Sequence, residues 1–341
     1  MIAQRKTVTI KDIASEAGVS KALVSFVMSN KNKGKKEYRV NEETAKHILE
    51  IAEKLGYRPN MSARALKNGR TNTIGVIFSD ISNPFFSDVA KDIENEAYKK
   101  GNTVLFGSTD EDPERLESIL GVFLDKGVDG LVIVPCQHSE RVIKEVAATG
   151  IPVVLMDREI RGLGLPSILL NNRKASFDMT SRLIKKGYRH IEMISYDMDI
   201  SNIKEREGGF IDAMGSNGLG EYYKIHRVSH HESRQVVDEI VRESGASGGE
   251  AFLFATNTLT IRGMSAMFRG GFHIPQDFGI ACFDYNSAFD IYDIDLIYAR
   301  QPIGQFAVNT MNRIFSLVEG DVDPASVNEM VLEAEIVDLS D

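Results

Sequence analysis

The chain has 341 residues, 43% apolar and 26% charged, a composition ordinary for a globular protein of two or three domains. No apolar run approaches the roughly 18 residues that would span a bilayer. The only two cysteines, Cys136 and Cys282, cannot form a C-x-x-C pair for zinc and fit reduced, buried thiols. The start "MIAQRKTVTIKD" is positively charged but lacks an apolar stretch behind it, so no signal peptide and a cytoplasmic location are expected.

The net charge of −9 is unevenly spread: residues 1–70 carry 15 Lys and Arg against 7 Asp and Glu, and the remainder carries 25 against 42. A basic head on an acidic body points to a polyanion-binding module joined to one that does not bind polyanions. In the head, Ile10, Ile13, Ala14 and Ala17 recur at helical spacing, with Thr9 and Asp12 placed for a capping box. Gly18 breaks this helix and Ser20 caps a second, whose apolar face is Leu23, Val24, Val27 and Met28. The joint "AGVS" is the size of a helix-turn-helix turn. A third helix is predicted from Asn41 to about Leu55, with Ala45, Ile48, Leu49, Ala52 and Leu55 inward.

In such a motif the second helix enters the major groove and its outward side chains meet base edges. Those positions are Lys21, Ala22, Ser25 and Phe26; Thr9 and Ser20, at the two helix starts, join them as DNA-facing candidates. Phe26 either touches a thymine methyl or packs on a neighbouring helix. The basic loop Lys31–Arg39 either grips phosphate, adding affinity without sequence information, or is a solvated surface loop. Pro59 suits a helix N-terminus.

After residue 72 short apolar runs ("TIGVIF", "TVLFG", "GLVIV", "PVVLM", "HIEMIS", "AFLFA", "GIACF") alternate with amphipathic stretches such as Phe85–Lys100 and Pro113–Lys126. Such alternation predicts parallel sheets with crossover helices, here two doubly wound lobes. Ligands of open α/β sheets bind beyond the carboxyl ends of strands. The candidates are therefore Ser79 and Asp80, Asp157 and Arg158, Thr256 and Asn257, and Asp284, with Arg206 at the start of the helix leading to "GGF" and Phe85 or Phe86 as a stacking floor. Carboxylates, an amide and a guanidinium suit a polyhydroxylated ligand, because each hydroxyl both donates and accepts. The alternatives are a capping role for Asp284, a structural ion pair for Arg206 and plain core for the phenylalanines. His226, His230, His231 and Glu232 cluster on what reads as a connecting segment, better explained as surface polar residues than as a metal site. There is no P-loop or G-x-G-x-x-G, so no enzyme is expected, and no cofactor.

Nearly the whole chain resembles bacterial transcription regulators of the lac-repressor family. "TIKDIASEAGVSKALVSFVMS" resembles the family's head, "YRPNMSARALKNGRTNTIGVI" its hinge and "DISNPFF" the opening of its effector domain. "DGLVIVP", "IPVVLMDRE", "RHIEMIS", "REGGF", "FATN", "IPQDFGIACFD" and "RQPIGQFA" follow in order. The resemblance implies a helix-turn-helix domain over residues 1–58, a hinge over 59–72 and a periplasmic-binding-protein-like body over 73–341. Lobe one would hold about 73–170 plus 301–324, and lobe two about 171–300 plus 325–341. It implies a homodimer on a near-palindromic DNA operator, with no membrane involvement and a carbohydrate-like effector between the lobes. Asn60, Ala63 and Leu66 would serve the minor groove, with Leu66 as wedge and Ala63 at a close helix contact. Arg206, Asn257 and Asp284 match the principal effector-contacting positions, with Asp80, Phe86 and Asp157 beside them. Phe26 stands where relatives usually carry Arg, Leu23 where they carry Thr, Thr258 where Asp is frequent, and Tyr285 where a second Asp is common. A periplasmic solute-binding protein would share the body, but not the basic head.

Overall fold

The computed structural model describes residues 8–30, 40–57, 69–230, 233–286, 289, 294–322 and 329–339. They form two units, divided between Thr71 and Asn72. The hinge positions Asn60, Ala63 and Leu66 and the loop Lys31–Arg39 lie outside the described residues.

The first unit is three helices, α1 (Ile10–Ala17), α2 (Lys21–Asn30) and α3 (Glu42–Lys54). Thr9 and Asp12 form the capping box: the Asp12 amide donates to Thr9 Oγ1 at 3.4 Å and the Thr9 amide to Asp12 Oδ2 at 2.8 Å. Gly18 ends α1 in the left-handed region at φ 64°, which a glycine adopts without steric cost. Ser20 Oγ accepts from the Leu23 amide at 3.2 Å and so opens α2. Ile13, Val24, Val27 and Ile48 fill the small core. In α3 the residue sealed between Ile48 and Ala52 is Ile51, whereas Leu49 and Leu55 are only partly covered. Phe26 is 41% exposed, which removes the reading that it is packed away on a neighbouring helix.

The second unit begins with β1 (Thr73–Phe78), α4 (Pro84–Lys99), β2 (Thr103–Ser108), α5 (Pro113–Asp125), β3 (Gly130–Ile133), α6 (Glu140–Ala147), β4 (Val153–Met156) and β5 (Ser167–Leu170). The chain then builds a second lobe from α7 (Asn172–Lys185), β6 (Ile191–Tyr196), α8 (Ser201–Ser216), β7 (Tyr223–Val228), α9 (Ser233–Ser247), β8 (Ala251–Phe254), α10 (Asn257–Gly270), β9 (Gly279–Phe283) and β10 (Ile297–Arg300). It returns through α11 (Ile303–Glu319) and ends in β11 (Glu329–Leu332) and β12 (Glu335–Asp338).

The first sheet runs β11-β5-β4-β3-β1-β2, all parallel. The second runs β12-β10-β9-β8-β6-β7, parallel except for β12 on β10. Central strands such as β3, β4 and β9 are buried along their full length, because helices cover both faces. The expectation that 325–341 belongs to lobe two needs correction: β11 pairs in parallel with β5 of the first sheet, Leu332 opposite Leu170. Only β12 joins lobe two, so the third crossing lies between Leu332 and Glu335. The expected run-by-run pattern also missed β5, β7, β10, β11 and β12. β7 is a half-exposed edge strand whose "YKIHRV" lacks an apolar run, and it carries His226, which pairs with Glu192 of β6 rather than sitting on a connector.

One contact shows how tightly the second lobe is built. α7 and α8 pack with Gly208 and Gly209 against Arg173, and a Cβ on Gly209 would overlap the Arg173 carbonyl. That backbone cannot move aside as a flexible side chain would. Gly209→Ala should therefore cost about 1–3 kcal/mol or more, the range for overpacking a close contact. In the same helix Gly215 has open space where its Cβ would go. Gly215→Ala should be neutral or stabilising by up to about 1 kcal/mol, because alanine limits the unfolded backbone. Urea unfolding of both variants reads the contrast; equal effects would show that the α7–α8 contact is not close.

Candidate functional site: the cleft between the lobes

The carboxyl ends of both sheets open onto one cleft with about 590 Å³ of empty space, part of it continuous with solvent, a size that suits a small ligand. Nearly every strand delivers a wall residue just past its end. β1 is followed by Ser79 and Asp80, β2 by Glu111 and β4 by Asp157 and Arg158; Met198 comes after β6 and His230 after β7. Thr256 follows β8, Asp284 follows β9 and Gln301 follows β10. This is where doubly wound sheets leave backbone groups and side chains free to meet a ligand.

Three of these acids share an uncommon backbone. Glu111, Asp157 and Asp284 have φ of 63°, 65° and 66°, the left-handed region that side-chain-bearing residues seldom occupy. Backbone strain of this kind, of order 1–3 kcal/mol per residue, persists only where the surroundings over-determine it and clusters at binding sites.

Arg206 is the buried cation at the centre, 3% exposed. Its Nε donates to Asn172 Oδ1 at 2.8 Å and its Nη1 to the Ala255 carbonyl at 2.6 Å, while the guanidinium lies 3.8 Å over the Phe283 ring. Burial lowers its proton affinity, and the charges of Asp157 and Asp284 oppose that. Arg206 stands in the second turn of α8, not at a helix start as expected, because the helix begins at Ser201. Asp157 is equally buried and accepts from Asn202 Nδ2 at 2.9 Å; burial pushes its carboxyl upward, with Arg158 and then Arg206 countering. Asp284 accepts from Gln301 Nε2 at 2.8 Å, and burial pushes its carboxyl up to about 6 against the pull of Arg206.

Arg158 belongs to the first lobe's framework. It donates to both oxygens of Glu111, at 2.7 and 2.9 Å, to the Pro135 carbonyl at 2.9 Å and to Ser79 Oγ at 3.3 Å. Phe85 and Phe86 both reach the cleft wall while packing on one another, with ring centroids 5.1 Å apart. Asp80 lines the cleft and accepts from the Ser82 amide and hydroxyl at 2.8 and 2.6 Å.

One expected residue is displaced. Asn257, 1% exposed, is not on the cleft wall, which Thr256 and Thr258 occupy on either side of it. Thr256 caps α10, its side chain accepting from the Leu259 amide at 3.3 Å. The helical turn then rotates Asn257 inward, where its Oδ1 accepts from Asn286 at 3.4 Å and its Nδ2 has no partner among the described residues. Tyr285 also leaves the cleft and packs on Phe289 and Tyr298.

Asn202, Glu111 and Gln301 escaped sequence reasoning. The strand-end rule that found Asp80 and Asp284 would have found Glu111 after "TVLFG" and Gln301, had β10 been recognised. Asn202 had no such signal, because nothing local marks Ser201 as a helix start: its N-cap Ile200 offers no side-chain bond. Among the described residues no cluster of His, Cys, Asp or Glu could hold a metal ion, and no helix is long and apolar enough to cross a membrane. His231 and Glu232 lie outside the described residues.

A helix-turn-helix unit in one chain with a two-lobed, cleft-bearing ligand module defines a class of ligand-responsive DNA-binding regulators. Residues 71–280 match the family "Periplasmic binding proteins and sugar binding domain of LacI family", and residues 9–60 match "Bacterial regulatory proteins, lacI family". Catabolite control protein A of Streptococcus mutans is 31% identical across 96% of this chain and 97% of its own length. The transcriptional regulator RegA of Clostridium saccharobutylicum is 29% identical across 97% and 98%. The Lac repressor bound to ONPG superposes with a TM-score of 0.82 at 20% identity, covering 97% of this chain and 98% of that one. The chain belongs to the LacI family: it is a DNA-binding transcriptional regulator and not an enzyme.

The raised Asp284 carboxyl has a measurable consequence. It binds its proton more tightly in the folded chain, at about 6, than at the ordinary 3.8. The folded state is thus favoured at acid pH, and that advantage is lost as pH rises from 3.8 through about 6. Asp284→Asn, an uncharged isostere, should stabilise the ligand-free protein at neutral pH by about 1–3 kcal/mol, given 1.36 kcal/mol per pKa unit. The gain should vanish toward the acid end of that window. Urea titrations of both proteins across it would read this; a difference independent of pH would contradict the buried placement of the carboxylate.

Proposed function

We propose that this chain is a repressor that binds a near-palindromic operator as a homodimer in the cytoplasm. Its operator affinity would be set by a carbohydrate-like effector held between the two lobes, and effector binding would release DNA. The observation that carries this reading is the placement of buried Asp157 and Arg206 and half-buried Asp284, drawn from both lobes, around one cleft at the strand ends. A ligand bridging them changes the balance between lobe arrangements, and the shift it produces is limited by its differential affinity for them. The hinge segment with Asn60, Ala63 and Leu66 would pass the change to DNA. Among similar structures, the regulator CelR is recorded with cellobiose and a Lac repressor dimer with operator, which supports both halves of the proposal.

In the head, Thr9, Ser20, Lys21, Ala22 and Phe26 are exposed and Ser25 partly so, as a base-reading face requires. Phe26 offers an apolar contact suited to a thymine methyl, where an arginine would instead take guanine through two hydrogen bonds. Phe26→Arg should therefore shift the selected base at one position of each half-site toward guanine, with discrimination of about 1–3 kcal/mol. Selection from a randomised duplex library tests it, and an unchanged site preference would remove Phe26 from the reading face.

The effector half is tested by Asp284→Ala. Operator affinity without ligand should stay within about twofold of the parent, because Asp284 lies in the second unit. Affinity for the activating sugar should fall at least roughly tenfold, the loss of one charge-assisted hydrogen bond. Gel shifts on the selected operator, with and without a sugar panel, read both. Loss of operator binding in the absence of any sugar would make Asp284 a structural residue and sink its effector role.

A further inference from the structure

The charges on the cleft wall do not balance. Asp80, Glu111, Asp157 and Asp284 face Arg158 and Arg206, with His230 as the further titratable group on the wall; counting the histidine as neutral, the formal excess is two negative charges. Both guanidiniums are also largely committed. Arg158 gives both terminal nitrogens to Glu111, the Pro135 carbonyl and Ser79, while its Nε, 3.6 Å from Asp157 Oδ2, has no hydrogen-bond partner among the described residues. Arg206 has given Nε to Asn172 and Nη1 to Ala255, leaving Nη2 among the described residues.

The acceptors are less committed. Asp157 receives Asn202 on Oδ2 and Asp284 receives Gln301 on Oδ1. Gln301 Oε1 is buried with no partner among the described residues. Unfilled buried acceptors call for donors on the ligand, since each one left dry is costly. The N-termini of α4, α8 and α10 on the wall would favour an anion, but side chains already take an amide at each: Asn83 that of Phe85 at 3.1 Å, Asn202 that of Ile203 at 2.9 Å and Thr256 that of Leu259 at 3.3 Å. Burial holds Asp157 and Asp284 above the usual carboxylate range, so both already resist further negative charge nearby.

We propose that the effector is a polyhydroxylated carbohydrate bearing no negative charge, and that the cleft rejects phosphorylated and carboxylated sugars because its carboxylates outnumber its two guanidiniums and each guanidinium keeps only one nitrogen free of hydrogen bonds among the described residues. This deepens the carbohydrate reading of the same cleft and rests on it.

The test is calorimetric titration of the full chain at constant ionic strength with matched probes: fructose against fructose 1-phosphate, glucose against glucuronate, and cellobiose. The expected result is saturable binding of at least one uncharged sugar, with its anionic counterpart at least roughly 100-fold weaker, as like charge in a desolvated site demands. An anionic sugar that binds as tightly as its uncharged counterpart overturns the charge assignment and leaves the carbohydrate reading intact. If none of the sugars binds, the carbohydrate reading fails, and inorganic phosphate decides the charge assignment separately. Saturable phosphate binding that Arg206→Ala abolishes overturns it; absence of phosphate binding supports it.

Discussion

A guanidinium buried at 3% exposure is the constraint on which the body depends. Arg206 cannot shed its proton, so taking it out of water has to be offset by hydrogen bonds and opposing charge. Asn172 and the Ala255 carbonyl supply the bonds, the Phe283 face supplies a cation–π contact, and Asp157 and Asp284 supply the charge. Asp284 belongs to the same lobe as Arg206, whereas Asp157 comes from the other. The lobe-two cation is thus satisfied partly by lobe one, and the lobes are coupled through a group that neither can leave uncompensated.

Direct bonds reinforce that coupling beside the cleft. Asn202 donates to Asp157 at 2.9 Å, and the Glu159 amide donates to Ser201 Oγ at 3.1 Å, both across the seam. Arg161 and Glu205 approach to 3.5 Å, but Arg161 is largely exposed, so this pair contributes little. A ligand that engages Asp157 competes with Asn202 for the same carboxylate. Occupancy of the cleft and the geometry of the seam are therefore not independent.

Much of this was legible in the sequence because the central strands, covered on both faces, read as continuous apolar runs. All seven predicted runs fall on strands within one residue at each end, and the head's capping box and turn were readable from Thr9, Asp12 and Gly18. What failed has a common cause. Edge strands such as β7 and β11 are half-exposed and lack the apolar run, so His226 was assigned to a connector and the 325–341 segment to one lobe. Asn257 illustrates a finer limit: a strand-end position predicts that some residue faces the cleft, but the phase of the following helix decides which one. Asp157 and Asp284 were visible as residues, while the left-handed backbone that presents them was not.

The central claim is that cleft occupancy and DNA binding are coupled through this buried cluster. Linkage makes the coupling reciprocal, so the factor by which a sugar changes operator affinity must equal the factor by which operator changes sugar affinity. The direct measurement is calorimetric titration of the full chain with its activating sugar, once free and once saturated with the selected operator. A sugar affinity reduced on operator by the same factor that the sugar reduces operator affinity would sustain the claim. Identical sugar affinities in the two titrations would contradict it.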